Sequence, residues 1–475
     1  MRLYHYRSVK NALIEIKNGT FHFAEREALN DPLEGFVRVY WQGDKAAWEG
    51  LFKHYICSLA QAVDLYLFAA DEDSLLHHSL EVDIHRWDDV PYGSVLLKLR
   101  TEFLADPDIQ LLAEFYGNHG CKVFEKELRF IIRLMHSKAL VSYIRYLQKV
   151  KGMPENEAER IIKRHNVSFH IGEMLSKMEQ ELSDEKERIR FMEAVETCFT
   201  DEQERAYIQA AAQTDLFLHG DSVTDQDSDG KKKTISVAQQ RRNWLTVMSD
   251  FPKVFIEQLK EMIYPKSYVV CFSGKNDDSS MWGNYADCHK GICLIYDTGD
   301  ENTLFVKPVD TNERKLSVKP VRYGGNIIER NFFQTIGSLN RSQVKEWLTG
   351  TEGVSSCYNE ICADVKKWRE RYWEVFDTKT FRKTMSWKHE GEYRAAVDNT
   401  FYEFDEPQKQ NLKFDWKILK GVIFGLCTTE YDKKRIWDAL MEHRGELTDF
   451  TFYQAEYDEE EQQIKIRKKV MWKLF

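Results

Sequence analysis

Glu390-Gly391-Glu392 sets two carboxylates two residues apart, so on a strand both side chains project from one face. His5 and Arg7 share that spacing near the start of the chain. Far from both in sequence, residues 267–297 hold Ser273, Asn276, Trp282, Tyr285 and His289 between two apolar runs, 269–272 and 291–296. That is more hydrogen-bonding and stacking chemistry than a mere connection needs. An arginine grips two phosphate oxygens in a fork that lysine cannot reproduce, and a tryptophan or tyrosine face stacks on a planar ring. A carboxylate stabilises positive charge growing on a sugar carbon. Trp282, Tyr285 and His289 share a face if their segment is helical, and the turn Asn30-Asp31-Pro32 offers Asn30 or Glu34 to a cleft.

Each group also has a plainer reading. Glu390, Glu392 and Arg394 can form a salt-bridged strand face, His5 can cap a neighbour, the aromatic triplet can pack a core and Asn30-Asp31-Pro32 can be only a turn. No cysteine nucleophile is expected, because no base and orienting group accompany Cys288 or Cys293. The nine cysteines include no C-x-x-C pair, which argues against a disulfide scaffold and a zinc site. Asp225, Asp227, Asp229 and Gly230 begin like a calcium loop, but Ser236 stands where its bidentate glutamate belongs, so a solvated loop is expected at 219–234. His77, His78, His85 and Asp88 lack the spacing of metal ligands.

The elements that must position these groups follow from the apolar periodicity. Residues 2–8 alternate as a strand, 9–19 read as a helix stopped by Gly19, and 20–24 read as a second strand. From 44 to 262 the character changes to long helical patterns rich in charge. Strand signals return after 265 and recur to the end, with helices expected at 328–350, 354–376 and 430–444. The expected fold class is therefore α+β with a mixed or antiparallel sheet, its core formed by 1–43 and 263–475 and split by an α-helical insertion at 44–262.

With 475 residues the chain exceeds a single core and should form two packed units. The formal charge of −10 gives no general attraction to nucleic acid or anionic membrane, so any such contact would be local. Arg2, His5, Arg7 and Lys10 interrupt any apolar leader after Met1, and no stretch approaches the ~20 apolar residues of a bilayer span. A cytoplasmic protein without a membrane partner is expected.

Six short blocks carry a resemblance: LYHYRS at 3–8, NDPLEG at 30–35, CFS at 271–273, MWxxYAxxHxG at 281–291, WKHEGEYR at 387–394 and IFG at 423–425. In this order they resemble an uncharacterised bacterial family, a domain of unknown function often met in mobile and phage-defence loci. The resemblance covers roughly 1–40 and 262–460. More distantly, the set resembles the ADP-ribosyltransferase superfamily, where a first-strand His or Arg holds NAD, a Ser or Tyr supports its nicotinamide half and a later Glu completes the site. That resemblance implies NAD as the bound substrate, with Glu392 and Glu390 as catalytic carboxylates. It implies His5, Arg7, Ser273, Trp282, Tyr285, His289 and Asn30 as the NAD-binding set, and no metal. No S-T-S follows the first strand, a departure from the superfamily pattern.

The leading expectation is an enzyme that transfers ADP-ribose to a protein or nucleic acid, or hydrolyses NAD, as a defence or toxin effector with a phage-derived trigger. A rival is a non-catalytic sensor of a nucleotide or a phage protein. A third reading, a metal-dependent nuclease, needs spaced carboxylates and a basic groove, against which the net charge argues.

Overall fold

The computed structural model describes residues 1–68, 93–165, 171–181 and 251–469 except 309–311 and 402, with short pieces between 186 and 250. Two compact units emerge, one of residues 1–37, 265–328 and 373–475 and the other of 38–264 and 329–372. The chain is α+β, with several mixed or antiparallel sheets.

In the first unit, β1 (Arg2–Arg7) leads straight into α1 (Val9–Asn18). The Ser8 side chain caps the helix by accepting from the Asn11 N–H, and Gly19 ends it in the left-handed region at φ 60°. There the Gly19 N–H returns to the carbonyls of Glu15 and Ile16, and an added Cβ would lie 3.1 Å from the Trp416 ring. Both reasons require glycine.

The large sheet is completed by β2 (Ser267–Ser273), β3 (Ile292–Asp297), β4 (Glu392–Asp398), β5 (Leu419–Phe424), β6 (Thr451–Asp458) and β7 (Gln463–Lys468). Their order is β4-β2-β1-β3-β5-β6-β7, and only the β5–β6 pairing among them is parallel. One face, carrying Leu3, Phe272, Leu294 and Val422, packs on α1, on α3 (Glu430–Met441) and on a four-stranded antiparallel sheet containing Phe21, Leu304 and Leu412. The other face is covered by α2 (Ser279–Tyr285), whose Met281 and Trp282 sit on Tyr6, Cys293 and Ile423.

The second unit is built around the helix Lys45–Phe68, whose residues 47–60 are buried throughout, the polar Glu49, Lys53 and His54 included. A three-stranded sheet pairs Val37–Trp41 with Ile328–Asn331 and Val123–Phe124. Residues 329–372 belong here because Phe333 packs edge-on to Trp48 and Trp347 stacks on His54 at 3.7 Å. The helix expected at 328–350 is in fact a strand at Ile328–Asn331, a 3-10 turn at Phe332–Gln334 and a helix only from Arg341 to Trp347. Gly50 allows the closest approach, since a Cβ there would stand 1.9 Å from the Trp347 carbonyl oxygen. Gly50→Ala should therefore lower stability by roughly 1–3 kcal/mol or more, read as a drop in urea midpoint at unchanged slope.

The loop expected at 219–234 contains an antiparallel pair, Val223–Gln226 with Lys232–Ile235. Its register sets Asp225 opposite Lys233, an opposite-charge placement that the acidic-then-basic sequence order provides. His77, His78, His85 and Asp88 lie outside the described residues. Among the described residues no helix is long and apolar enough to cross a membrane, and no group of three His, Cys, Asp or Glu could hold a metal ion.

Candidate functional site

Strand alternation decides which candidate residues can meet. Tyr4 pairs with Ser273 across β1 and β2, and Ser273 pairs with Glu392 across β2 and β4, so these three share a face. His5 and Arg7, one step out of phase with Tyr4, share the opposite face with Leu3 and Phe272. The expected meeting of His5 or Arg7 with Glu392 is thus corrected by the period of two.

On the Glu392 face, residues from six segments converge. Lys383, in the short strand Arg382–Lys383, places Nζ 2.6 Å from Glu390 Oε2 and 3.3 Å from Glu392 Oε2. Arg394 grips Glu392 with two donors, Nε to Oε1 at 2.7 Å and an amino group to Oε2 at 3.0 Å, and it also contacts Glu34. Tyr285, at the end of α2, donates its hydroxyl to Glu390 Oε1 at 2.5 Å, and the Asn30 side chain reaches the same hydroxyl. Ser273 Oγ donates to the Glu390 carbonyl at 2.8 Å and accepts from the Lys275 N–H at 3.1 Å. Tyr323 accepts from the Glu392 N–H at 2.8 Å. Ser273, Glu390, Lys383, Arg394, Glu34 and Glu392 are all buried, whereas Tyr285 and Trp387 are half-buried and Asn30 and Lys275 exposed. The Lys383 ammonium also lies 4.7 Å over the Trp387 ring.

Charge in this cluster is unevenly compensated. Three carboxylates face two cations. Burial alone would raise the Glu392 pKa, but the Arg394 guanidinium and Lys383 outweigh it and hold the carboxyl below its usual range. Glu34 goes the other way, because burial and the Glu392 charge exceed what Arg394 and Lys383 return, and its pKa is pushed up to about 7. Two carboxyls on one guanidinium are driven apart, which is how a site separates a proton carrier from a fixed anion. Burial, then the Glu390 carboxylate, raises the Tyr285 hydroxyl, which stays a donor at neutral pH.

His5 and Arg7 serve a different network. Glu15 of α1 accepts from Arg7 Nε at 3.2 Å and from the Tyr296 hydroxyl at 2.7 Å, with His5 Nδ1 at 3.1 Å from Oε1. Burial and Arg7 lower the His5 pKa, so His5 meets Glu15 as a neutral donor and Arg7 supplies the balancing charge. Burial would raise Glu15, yet His5, Arg7 and Tyr296 together bring it from the ordinary 4.5 to about 2. A depressed carboxylate stabilises the fold above pH 4.5 and loses that contribution as the pH falls toward 2. Glu15→Gln should remove about 3 kcal/mol at pH 7 and flatten the acid limb of a stability profile between those limits.

The aromatic triplet is also corrected. α2 stops at Tyr285, and Asp287, Cys288 and His289 adopt left-handed φ of 48°, 49° and 66°, so His289 is not on the helix. Three such non-glycine residues cost about 1–2 kcal/mol each. The turn is held by Gly291 N–H to the Ala286 carbonyl at 2.7 Å and by Cys427 N–H to the His289 carbonyl at 2.9 Å. His289 lies over Trp282 with ring centroids 6.5 Å apart, while Trp282 is fully buried, edge-on to Tyr6, with its indole N–H on the Asn276 carbonyl at 2.9 Å. Trp282 packs the core, His289 is half-buried against its ring, and only Tyr285 turns to the carboxylates.

Thus the fold brings together Glu390, Glu392, Ser273, Tyr285 and Asn30, and leaves His5, Arg7, Trp282 and His289 elsewhere. Lys383 was not anticipated. Its signal was the alternation from Phe381 through Arg382 to Lys383 just before the WKHEGEYR block, too short to read as a strand.

A DUF2971 domain, described as a protein of unknown function, spans residues 281–395. The DUF2971 segment contains Tyr285, Tyr323, Lys383, Glu390, Glu392 and Arg394, and Ser273, Asn30 and Glu34 fall before it. No curated protein and no solved structure matches the chain.

Proposed function

We propose that the Glu390 end of the sheet is the active site of an ADP-ribosyltransferase-like enzyme that cleaves the nicotinamide–ribose bond of NAD, acting in defence or toxicity on a protein or nucleic-acid target or by hydrolysis alone. The observation that carries this reading is the convergence on buried Glu390 of Tyr285 and Lys383 at its carboxylate and Ser273 at its carbonyl, with Asn30 on the Tyr285 hydroxyl. Loss of nicotinamide builds oxocarbenium-like charge, and Glu390, fixed by Tyr285 and Lys383, would stabilise it without reorganising. Glu392 would be a positioning residue, since Arg394 takes both its oxygens. With His5 and Arg7 on the other face, the pyrophosphate would fall to Lys275, an exposed cation lying against Gly391. In this reading residues 44–262 would be an insertion into an ADP-ribosyltransferase-like core, serving specificity or activation.

The sensor reading has its own support in the internal pairing of every cation in the cluster. Incubating the protein with labelled NAD separates them. Release of nicotinamide, or label on cellular protein, DNA or RNA, is expected for the enzyme. Saturable NAD binding without turnover would favour the sensor, and neither would sink the enzyme and leave only a sensor of another ligand.

A further inference from the structure

The segment 30–36 contributes the odd charge of the buried cluster. Glu392 and Arg394 come with β4, Glu390 with the 3-10 turn before it and Lys383 with the short strand Arg382–Lys383, and these four balance as two anions and two cations. Glu34 is the fifth member and arrives on a turn outside regular structure. That turn rests on few other ties: Asp31 accepts from the Thr384 hydroxyl at 3.1 Å, and Asn30 lies on the Tyr285 hydroxyl. Its own Leu33 and Phe36 are 60% and 50% exposed, so little apolar burial holds it down.

We infer that residues 30–36 form a proton-controlled strap over Glu390 and Tyr285, docked while Glu34 is neutral and loosened when Glu34 ionises. The groups facing Glu34 are Arg394 and Glu392 on β4 and Lys383 on the strand Arg382–Lys383, with Cys271 of β2 beside the Arg394–Glu392 pair. Arg26 and Lys379 flank the neighbouring Gly35. A neutral Glu34 leaves the four fixed charges balanced. An ionised one adds an uncompensated anion to a buried site, which leaving into water relieves. The raised pKa of Glu34 supports this direction: docking is fully favoured below 4.5 and weakens as the pH rises through about 7, by roughly tenfold per unit, and then levels off. The release would uncover Asn30's partner Tyr285, and this holds whether the carboxylates catalyse or only bind.

Hydrogen exchange of 26–37 in the full chain, measured from pH 4 to 8 and corrected for intrinsic rates, tests this. Opening of the segment should rise by roughly 10²-fold from pH 4.5 to 7 in the native protein and stay flat in Glu34→Gln. Protection independent of pH in the native protein, or an unchanged slope in Glu34→Gln, would overturn the strap. If Glu34→Gln does not fold, trypsin cleavage after Arg26 in the native protein, normalised to a peptide of the same sequence, reads the same opening. A normalised rate flat with pH then overturns it.

Discussion

Glu390→Gln is expected to lower NAD turnover by roughly 10²–10³ with a much smaller change in NAD binding, because the amide keeps the shape and the Tyr285 contact but removes the charge felt in the transition state. Nicotinamide release under saturating NAD measures the first, and calorimetric titration the second. The variant also leaves Lys383 with Glu392 and Glu34, so the fold should persist. Glu392→Gln should behave differently. It weakens the Arg394 fork and should disturb stability and binding together, without the selective fall in turnover. A Glu390→Gln protein with full turnover would remove this carboxylate from the chemistry and leave the sensor reading.

Arg394→Met is expected to be the most damaging single change, at about 3–5 kcal/mol, since it removes the guanidinium that grips both Glu392 oxygens and contacts Glu34, and leaves Lys383 as the only cation for three buried carboxylates. Desolvation that was offset by the fork is then unopposed. Adding Glu392→Gln to Arg394→Met should recover part of the loss, as the second substitution removes the stranded charge. Urea denaturation of the two single variants and the double variant gives the coupling energy. Additive losses would mean that the pair contributes no interaction of its own, and the cluster would have to be held by Lys383 alone.

Where the sequence was legible, the signals were local. Gly19 stops α1 because one residue both adopts φ 60° and yields space to Trp416, and such a demand is visible in a single letter. Ser273, Tyr285 and Glu390, which stand in separate blocks of the sequence, meet in the fold. What failed was phase. His5 and Glu392 each sit on a face that their own strand shows clearly, but which faces coincide depends on the register between strands far apart in the chain, fixed here by Tyr4 opposite Ser273. The helical reading of Trp282 to His289 failed for another reason. Three left-handed residues without glycine are held by local backbone bonds together with one from distant Cys427, and none of the three residue types announces the conformation.

The position of β1 has a consequence for how the chain reaches its fold. β1 is an inner strand, yet its first ladder partner in the chain is Ser273, and Arg2 is paired with Asp297. At a synthesis rate of ~5–20 residues per second, the first strand would wait on the order of tens of seconds for a neighbour. During that interval Leu3, Tyr4, Tyr6 and the apolar side of α1 would be open to wrong pairings, and a strand edge is the surface most prone to them. The centre of the sheet closes late, around a segment made first, so premature release or a slow ribosome should penalise this protein through aggregation of its amino-terminal strand rather than through any loss of final stability.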